Sequence, residues 1–192
     1  YNGDIMSSLN VNTINEYTGA NGVTIDGVLI KDGAIPSVTG LKGISIFRIT
    51  ANVASSGDIT SNWSEADDTE NEANYGSLIT ESSGIFSFVE TGFYLVHFTA
   101  GFQMASSGNA AASISIKATD DNSTYSTISS AAFGGTTDYN GASPKCEALL
   151  DVTNVSNDKV KFNYNEDLGS PRIQGSASAN KSWVTFMKVS ET

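Results

Sequence analysis

The sequence has 192 residues, of which 39% are hydrophobic, enough to bury the core of one domain or of one domain with an appendage. Its net charge of -11 argues against nucleic acid and anionic membrane surfaces as partners, because both would repel the chain. Its single cysteine, Cys146, excludes an intrachain disulfide, and no apolar stretch is long enough to predict membrane insertion.

Residues 1–40 differ from the rest of the chain. Short apolar runs alternate there with Asn21-Gly22, Asp26-Gly27 and Asp32-Gly33, which favour tight turns. The segment is too thinly apolar to bury a core of its own, so we predict a β-rich stalk or docking segment. Pro36 and Gly40 indicate a linker before a head domain at residues 41–192. The start at Tyr1 without an initiator methionine is typical of a segment of a longer polypeptide.

The sequence of the head domain predicts about eight short strands separated by turns of Gly, Asn, Asp and Ser. No segment has a sustained helical period. This pattern favours an all-β sandwich. A long polar loop is predicted at residues 54–75. The predicted strands lie within residues 43–53, 84–104, 112–118, 125–133, 146–152, 159–164 and 183–189.

Residues 84–104 contain two alternating apolar runs, and Glu90-Thr91-Gly92 between them predicts a hairpin turn. In the second run both faces are substantially apolar, so we expect a partner sheet on one face and another subunit on the other. One face carries Tyr94, Val96, Phe98 and Phe102, which are predicted to lie in the core or at a trimer interface. The other face carries Phe93, Leu95, His97 and Thr99.

The same stretch carries a family resemblance. Its motif G-x-F-x-F-x-E-T-G-x-Y-x-V-x-F, from Gly84 to Phe98, resembles the central strands of the jelly roll shared by complement globular heads and tumour necrosis factors (TNFs). Residues 183–189 are similar to the last strand of that family. The resemblance implies a jelly-roll β-sandwich that forms a homotrimer and serves as a recognition head.

A second resemblance lies in the N-terminal segment. Residues 12–18 and 22–33 are similar to segments of phage tail fibres and of fibre or spike proteins of other large viruses. In those proteins such a segment is a stalk or joint ahead of a C-terminal head. The resemblance implies a virion protein whose N-terminal segment contacts other virion proteins.

Candidate catalytic and metal-binding residues are few. His97 is the only histidine, and we predict a structural role on a sheet face; at a subunit contact it would make assembly pH-sensitive. Cys146 is predicted to be a small buried hydrophobe. Calcium is a minor alternative for the acidic loop, which lacks the spacing of a calcium-binding loop, so no cofactor is predicted. The acidic residues are Glu65, Asp67, Asp68, Glu70 and Glu72, with a weaker group at Asp120, Asp121 and Asn122.

Four aromatic residues lie in or beside predicted loops, where they are candidates for contact with a receptor or a glycan. The alternative is that they pack against the core as plugs. They are Trp63, Tyr75, Tyr125 and Tyr139.

The sequence as a whole predicts a non-enzymatic viral structural protein located on the virion. It would be a homotrimeric tail fibre, spike or capsid-decorating head that attaches to a host surface receptor or glycan. The alternative is a non-viral secreted or cell-surface recognition module or adhesin of the same fold, with glycans among its candidate ligands. Glycan cleavage is disfavoured, because no pair of carboxylates in an aromatic cleft is indicated.

Overall fold

The computed structural model describes residues 23–25, 28–30, 41–66, 74–103, 110–135 and 142–192. The chain divides into two compact units, residues 1–39 and residues 40–192. In the first unit, β1 (Val23–Ile25) and β2 (Val28–Ile30) pair antiparallel, with Ile25 opposite Val28. The three turns predicted within residues 1–40, at Asn21-Gly22, Asp26-Gly27 and Asp32-Gly33, lie outside the described residues, as does the linker.

The second unit is a sandwich of two antiparallel sheets. One sheet has the order β12-β8-β15-β3-β5, and the other has the order β11-β10-β13-β7-β6 with β4 added beside β13. A small pair, β14-β9, stands apart from both. The strands are β3 (Gly43–Ile49), β4 (Gly57–Asp58), β5 (Trp63–Glu65), β6 (Ile79–Ser82), β7 (Ile85–Phe88), β8 (Gly92–Ala100), β9 (Phe102–Gln103), β10 (Ala110–Thr119), β11 (Ser126–Gly135), β12 (Lys145–Val152), β13 (Lys159–Leu168), β14 (Arg172–Ile173) and β15 (Ser182–Ser190).

The core lies between the two sheets and is rich in aromatic side chains. Alternate residues of each strand point inward, as the two-residue period of a strand requires. Phe86 of the six-stranded sheet lies at its centre, with its ring centroid 5.0 Å from that of Phe162 and 5.4 Å from that of Phe186. Such ring pairs contribute about 0.5–1.5 kcal/mol each beyond the burial of apolar area. The all-β sandwich predicted from the sequence is confirmed.

The hairpin predicted within residues 84–104 is wrong. β7 belongs to the six-stranded sheet and β8 to the five-stranded sheet, so residues 89–91 carry the chain across the core from one sheet to the other. Both runs have large inward side chains because they cover the same core from opposite sides. Gly92 has a φ of 143°, and a Cβ there would lie 2.5 Å from Cε of Lys188. The glycine is therefore required by a close approach at the crossover.

An ionic clamp, formed by Lys188, Glu90 and Glu191, holds this crossover. The Lys188 side chain is only 1% exposed, and its Nζ lies 3.0 Å from Oε1 of Glu90 and 2.7 Å from Oε2 of Glu191. Burial lowers the pKa of Lys188, but hydrogen bonds and charge from the two carboxylates outweigh it and raise the pKa above its ordinary value. The Tyr94 hydroxyl donates to the Glu90 carbonyl at 2.9 Å, which ties the clamp to β8.

The polar loop predicted at residues 54–75 is also wrong in part. It contains the short strands β4 and β5, because Ile59 is buried and Trp63 packs against the core, and these two side chains hold the segment to the sandwich. Its residues 67–73 lie outside the described part of the chain. No α-helix occurs among the described residues, in agreement with the prediction. Within that part of the chain, no helix is long and apolar enough to cross a membrane.

Candidate subunit interface

The side chains of Tyr94, Val96, Phe98 and Phe102 lie in the core of the single chain. All four are almost completely buried between the sheets, and the ring of Tyr94 lies 4.7 Å from that of Phe88. Of the two roles offered for them by the sequence, the structure places them in the core, where another subunit cannot reach them.

The opposite face of β8 lies on the outside of the five-stranded sheet. Here Leu95 of β8 is paired with Leu149 of β12 and with Met187 of β15, and Met187 is paired with Ile44 of β3. Tyr75 extends this line through two backbone hydrogen bonds of 2.8 Å with Ile44. Because directly paired residues share a face, these five side chains form one continuous line across the sheet, which we call the apolar row.

The apolar row is open to solvent in the single chain. Leu149 is 64% exposed and Tyr75 is 61% exposed, and the three members between them are half-buried. An antiparallel sheet that covers a core on one face usually carries polar side chains on the other. This sheet does not follow that rule, so its outer face is suited to contact with another macromolecule.

Polar and charged groups lie on one side of the apolar row. Nδ1 of His97 lies 3.3 Å from Oε2 of Glu147, its direct neighbour on β12. In the following line of paired residues, Trp183 of β15 lies opposite Arg48 of β3, and Nη1 of Arg48 donates to the carbonyl of Ala177 at 3.4 Å. The guanidinium is thus bound within its own chain, and His97 lies on the outer face, as its position in the sequence predicted.

The outer face of the six-stranded sheet is polar. Oδ1 of Asp58 accepts hydrogen bonds of 2.9 Å from both Lys117 and Asn163, and Nζ of Lys161 lies 3.7 Å from Oδ2. Partial burial raises the pKa of Asp58, but these hydrogen bonds and the two lysine charges outweigh it and hold the pKa below its ordinary value. The polar groups on this face therefore satisfy one another, unlike the apolar side chains of the other face.

The four loop aromatics have different surroundings. The indole of Trp63 packs into the core with its ring centroid 5.1 Å from that of Phe86, and its Nε1 donates to the Ile59 carbonyl at 2.9 Å. It is therefore a packing residue and is not available to a partner. Tyr75 is exposed as part of the apolar row. The ring of Tyr125 is half-buried beneath the Lys161 ammonium, 4.0 Å away, and Tyr139 lies outside the described residues.

The candidate reactive groups are not assembled into a catalytic site. Cys146 is buried, as predicted, and burial raises the pKa of its thiol to about 11, which keeps it protonated at neutral pH. Its cross-strand partner is Phe98, which faces the core, whereas His97 faces outward. In the part of the chain that the structure describes, no group of three or more His, Cys, Asp or Glu side chains is arranged to hold a metal ion. Asp67, Asp68, Glu70 and Glu72 lie outside that part.

The sequence prediction identified one strand of the outer face and missed the others. Ile44, Leu149 and Met187 belong to it as much as Leu95 does, but they lie on three other strands of the sheet. The same observation that was made for β8, that both faces of the strand carry apolar side chains, would have found them in β3 and β15. In β3, the outward Ile44 and Ile46 alternate with the inward Phe47. In β15, the outward Trp183 and Met187 alternate with the inward Val184 and Phe186.

This architecture, two antiparallel sheets with a core of aromatic residues and one apolar outer face, defines a jelly-roll head of the TNF type. Eiger TNF from S. frugiperda is similar over 78% of this chain and 93% of its own, at 16% identity and a TM-score of 0.56. A structure of murine APRIL at pH 8.5 matches 76% of this chain and 98% of its own, at 12% identity and a TM-score of 0.52. A second murine APRIL structure, at pH 8.0, matches the same shares at 11% identity and a TM-score of 0.50.

At these identities the likeness establishes the fold. The jelly roll predicted from residues 84–98 is confirmed. The second resemblance, that of residues 12–18 and 22–33 to viral fibre segments, receives no support. No protein family model matches the sequence. A search of curated proteins also found no match. The three similar structures are not described as virion, tail-fibre or capsid proteins, so that part of the functional prediction stays a prediction from sequence.

Proposed function

We propose that this chain is a non-enzymatic recognition module that acts outside the cell as a homotrimer, secreted or held at a surface. The apolar row is the observation that carries the proposal. Its five side chains lie on β12, β8, β15 and β3 and at Tyr75, which is bridged to β3, and an isolated subunit would leave them in water. The fold shared with the TNF-type structures is consistent with this assembly and with a binding role.

The energetics favour a covered row. Full burial of a side chain such as Leu or Met contributes about 1.5–3 kcal/mol, so covering five partly exposed side chains would supply several kcal/mol toward association. Part of that gain offsets the lost freedom of the subunits. The sheet itself would not need to rearrange, because the row already lies flat across paired strands.

A ring of three subunits requires two different surfaces on each subunit, since a cyclic contact other than a dimer is heterologous. The apolar row would be one of them. It ends at Leu149 on β12, the edge strand of its sheet, so a neighbouring subunit has open access from that side. The other surface has to differ from the row and complement its apolar side chains.

A non-enzymatic role is supported by the state of the two most reactive side chains. The only histidine faces outward and pairs with Glu147, and the only cysteine is buried and protonated. They lie on opposite faces of the five-stranded sheet, so they do not form a nucleophile and base pair. Recognition of a receptor or glycan would then depend on the exposed loops, and three copies would add avidity to individually weak contacts.

Light scattering coupled to size exclusion tests the proposal, with an expected mass three times the 20.1 kDa of one chain. The variant Leu149→Glu should give a folded monomer, because a carboxylate would be placed in the apolar contact. Leu168→Glu is the matched control, since Leu168 is also an exposed leucine, at 53%, but lies on β13 of the other sheet. A monomeric wild-type chain, or a trimer that withstands Leu149→Glu, would refute the assembly.

A further inference from the structure

A cleft opens between the two sheets at one end of the sandwich, away from the apolar row. Its volume is about 310 Å³, at the lower limit of the pockets that hold small ligands in proteins. It is lined by the ends of β7, β10, β11 and β12 and by the turns at residues 119–124 and 153–158. We call it the end cleft.

The floor of the end cleft is apolar. Phe88 and Val152 are buried at its base, and Ala118 and Leu150 are half-buried beside them. Ile128 of the edge strand β11 is 44% exposed at the side of the cleft. An apolar group of a ligand that entered the cleft would therefore remove apolar surface from water on both partners.

The walls of the end cleft are preorganised. Oδ1 of Asp121 accepts hydrogen bonds from the Thr119 hydroxyl at 2.7 Å and from the backbone N–H groups of Ser123 and Thr124 at 2.8 and 2.7 Å. These bonds hold the pKa of Asp121 well below its usual range. The other turn is tied to this one by the N–H of Asn122, which donates to the Asn157 carbonyl at 3.1 Å. Binding would thus require little ordering of the protein.

Three aspartates belong to the lining of the cleft. Asp120 makes no hydrogen bond or ion pair with any described residue, whereas Asp151 is paired with Phe93, so its side chain lies on the outer face of the five-stranded sheet. The third, Asp158, accepts hydrogen bonds of 2.8 Å from the backbone N–H groups of Thr153 and Asn154. Lys159, the one cation of the lining, donates to the Val155 carbonyl. Ionised carboxylates only accept hydrogen bonds, so their natural complement is a cationic donor.

We propose that the end cleft binds an amphipathic cation, an apolar group that carries an ammonium or guanidinium. The apolar part would cover Phe88, Leu150 and Val152, and the cationic head would reach Asp120. Such a group occurs in a lysine or arginine side chain next to an apolar residue of a protein partner, and also in a free aromatic or alkyl amine. This site goes beyond the proposed assembly and does not depend on it.

Calorimetric titration of the full chain with 4-phenylbutylamine, and with its neutral counterpart 4-phenylbutanol, tests this proposal. The amine should bind at least roughly tenfold more tightly, as expected for a charge-assisted hydrogen bond. The variant Asp120→Asn should abolish this preference and leave the weak affinity for the alcohol. Glu166→Gln is the control, because it removes a carboxylate on β13 that does not line the cleft. The control should bind as the wild-type chain does.

A third probe, the amide of acetylated Phe-Arg, separates the two sources of the cation. Tighter binding of this peptide than of the free amine indicates a protein partner, and the reverse indicates a small amine. Equal affinities for amine and alcohol in the wild-type chain would overturn the proposal, even if a variant failed to fold. Retention of the preference in Asp120→Asn, or no heat from any probe at millimolar concentration, would overturn it as well.

Discussion

The two outer faces of the sandwich are built on similar antiparallel sheets and have opposite surfaces. The five-stranded sheet presents Ile44, Leu95, Leu149 and Met187, whereas the six-stranded sheet presents serines, asparagines and a carboxylate that binds two lysines. Their inner faces contribute to the same core, so the difference does not come from the fold. It supports the proposal that the outer face of the five-stranded sheet contacts another chain, whereas the outer face of the six-stranded sheet contacts water.

Replacing apolar side chains on the outer face of the five-stranded sheet with polar ones should have the largest effect on trimer association. We expect the double variant Leu95→Thr, Met187→Thr to weaken trimer association by about a hundredfold or more, because two central apolar contacts are lost. Thr is favourable in strands, so the subunit should stay folded. Sedimentation equilibrium measures the association, and far-ultraviolet circular dichroism checks the fold. Ser113→Thr on the six-stranded sheet is the control, and an unchanged association constant in the double variant would contradict the comparison.

The ion pair between His97 and Glu147 should give a smaller, pH-dependent effect. Assembly would bury Glu147, and a protonated His97 would compensate its charge better than a neutral one. Thr185 and Thr99, the neighbours of His97 on β15 and along β8, are uncharged. Its charged neighbours on β12 are Glu147, its direct partner, and Lys145, the partner of Thr99. We expect the trimer to be a few-fold tighter at about pH 5 than at about pH 8.

The variant His97→Gln should abolish this difference while the trimer persists. Light scattering over a dilution series at the two pH values measures it. The same pH dependence in His97→Gln as in the wild-type chain would assign the effect to other groups.

The smallest effect is expected on the polar face. The pKa of Asp58 is lower in the folded chain than its ordinary value, so the ionised carboxylate stabilises the fold above that ordinary pKa. The contribution is lost as the pH falls through the lowered pKa. Because the groups are partly exposed, we expect Asp58→Asn to reduce the free energy of unfolding by only about 0.5 kcal/mol at neutral pH.

Urea unfolding at neutral pH and at about pH 3 measures this change, which should shrink at the acid value as the wild-type carboxylate becomes protonated. The mass of the assembly should not change. A loss of trimer in Asp58→Asn would mean that the polar face also takes part in assembly.

The sequence predicted the strands of the sandwich and the faces of their side chains better than it predicted which strands pair with each other. The period of two in residues 92–100 assigned Tyr94 and Leu95 to opposite faces, because that assignment depends only on local geometry. Whether β7 and β8 pair with each other depends on distant strands. β13 takes the place beside β7, and β12 and β15 take both places beside β8, so Glu90-Thr91-Gly92 looks like a hairpin turn and is a crossover.

The candidate interface was predictable only in part for the same reason. Leu149 and Met187 become neighbours of Leu95 through register across three strands, and no short window of sequence contains that information. The end cleft was beyond prediction, since Phe88, Asp120 and Asp151 come from different strands and turns. Trp63 was assigned to loop recognition because its position beside a polar segment gives no sign of the core that receives its ring.

The position of β15 constrains how this protein is made. It is the last strand in the described chain, yet it lies between β8 and β3 in the middle of the five-stranded sheet, and it carries Lys188 of the ionic clamp. A ribosome would therefore release β3 and β8 well before the strand that joins them exists. Until then the backbone N–H and C=O groups on the facing edges of β3 and β8 stay unpaired, and loop closure between β3 and β15, over more than a hundred residues, slows the final step. Folding of this head can be completed only after β15 has left the ribosome, and aggregation competes with folding until then.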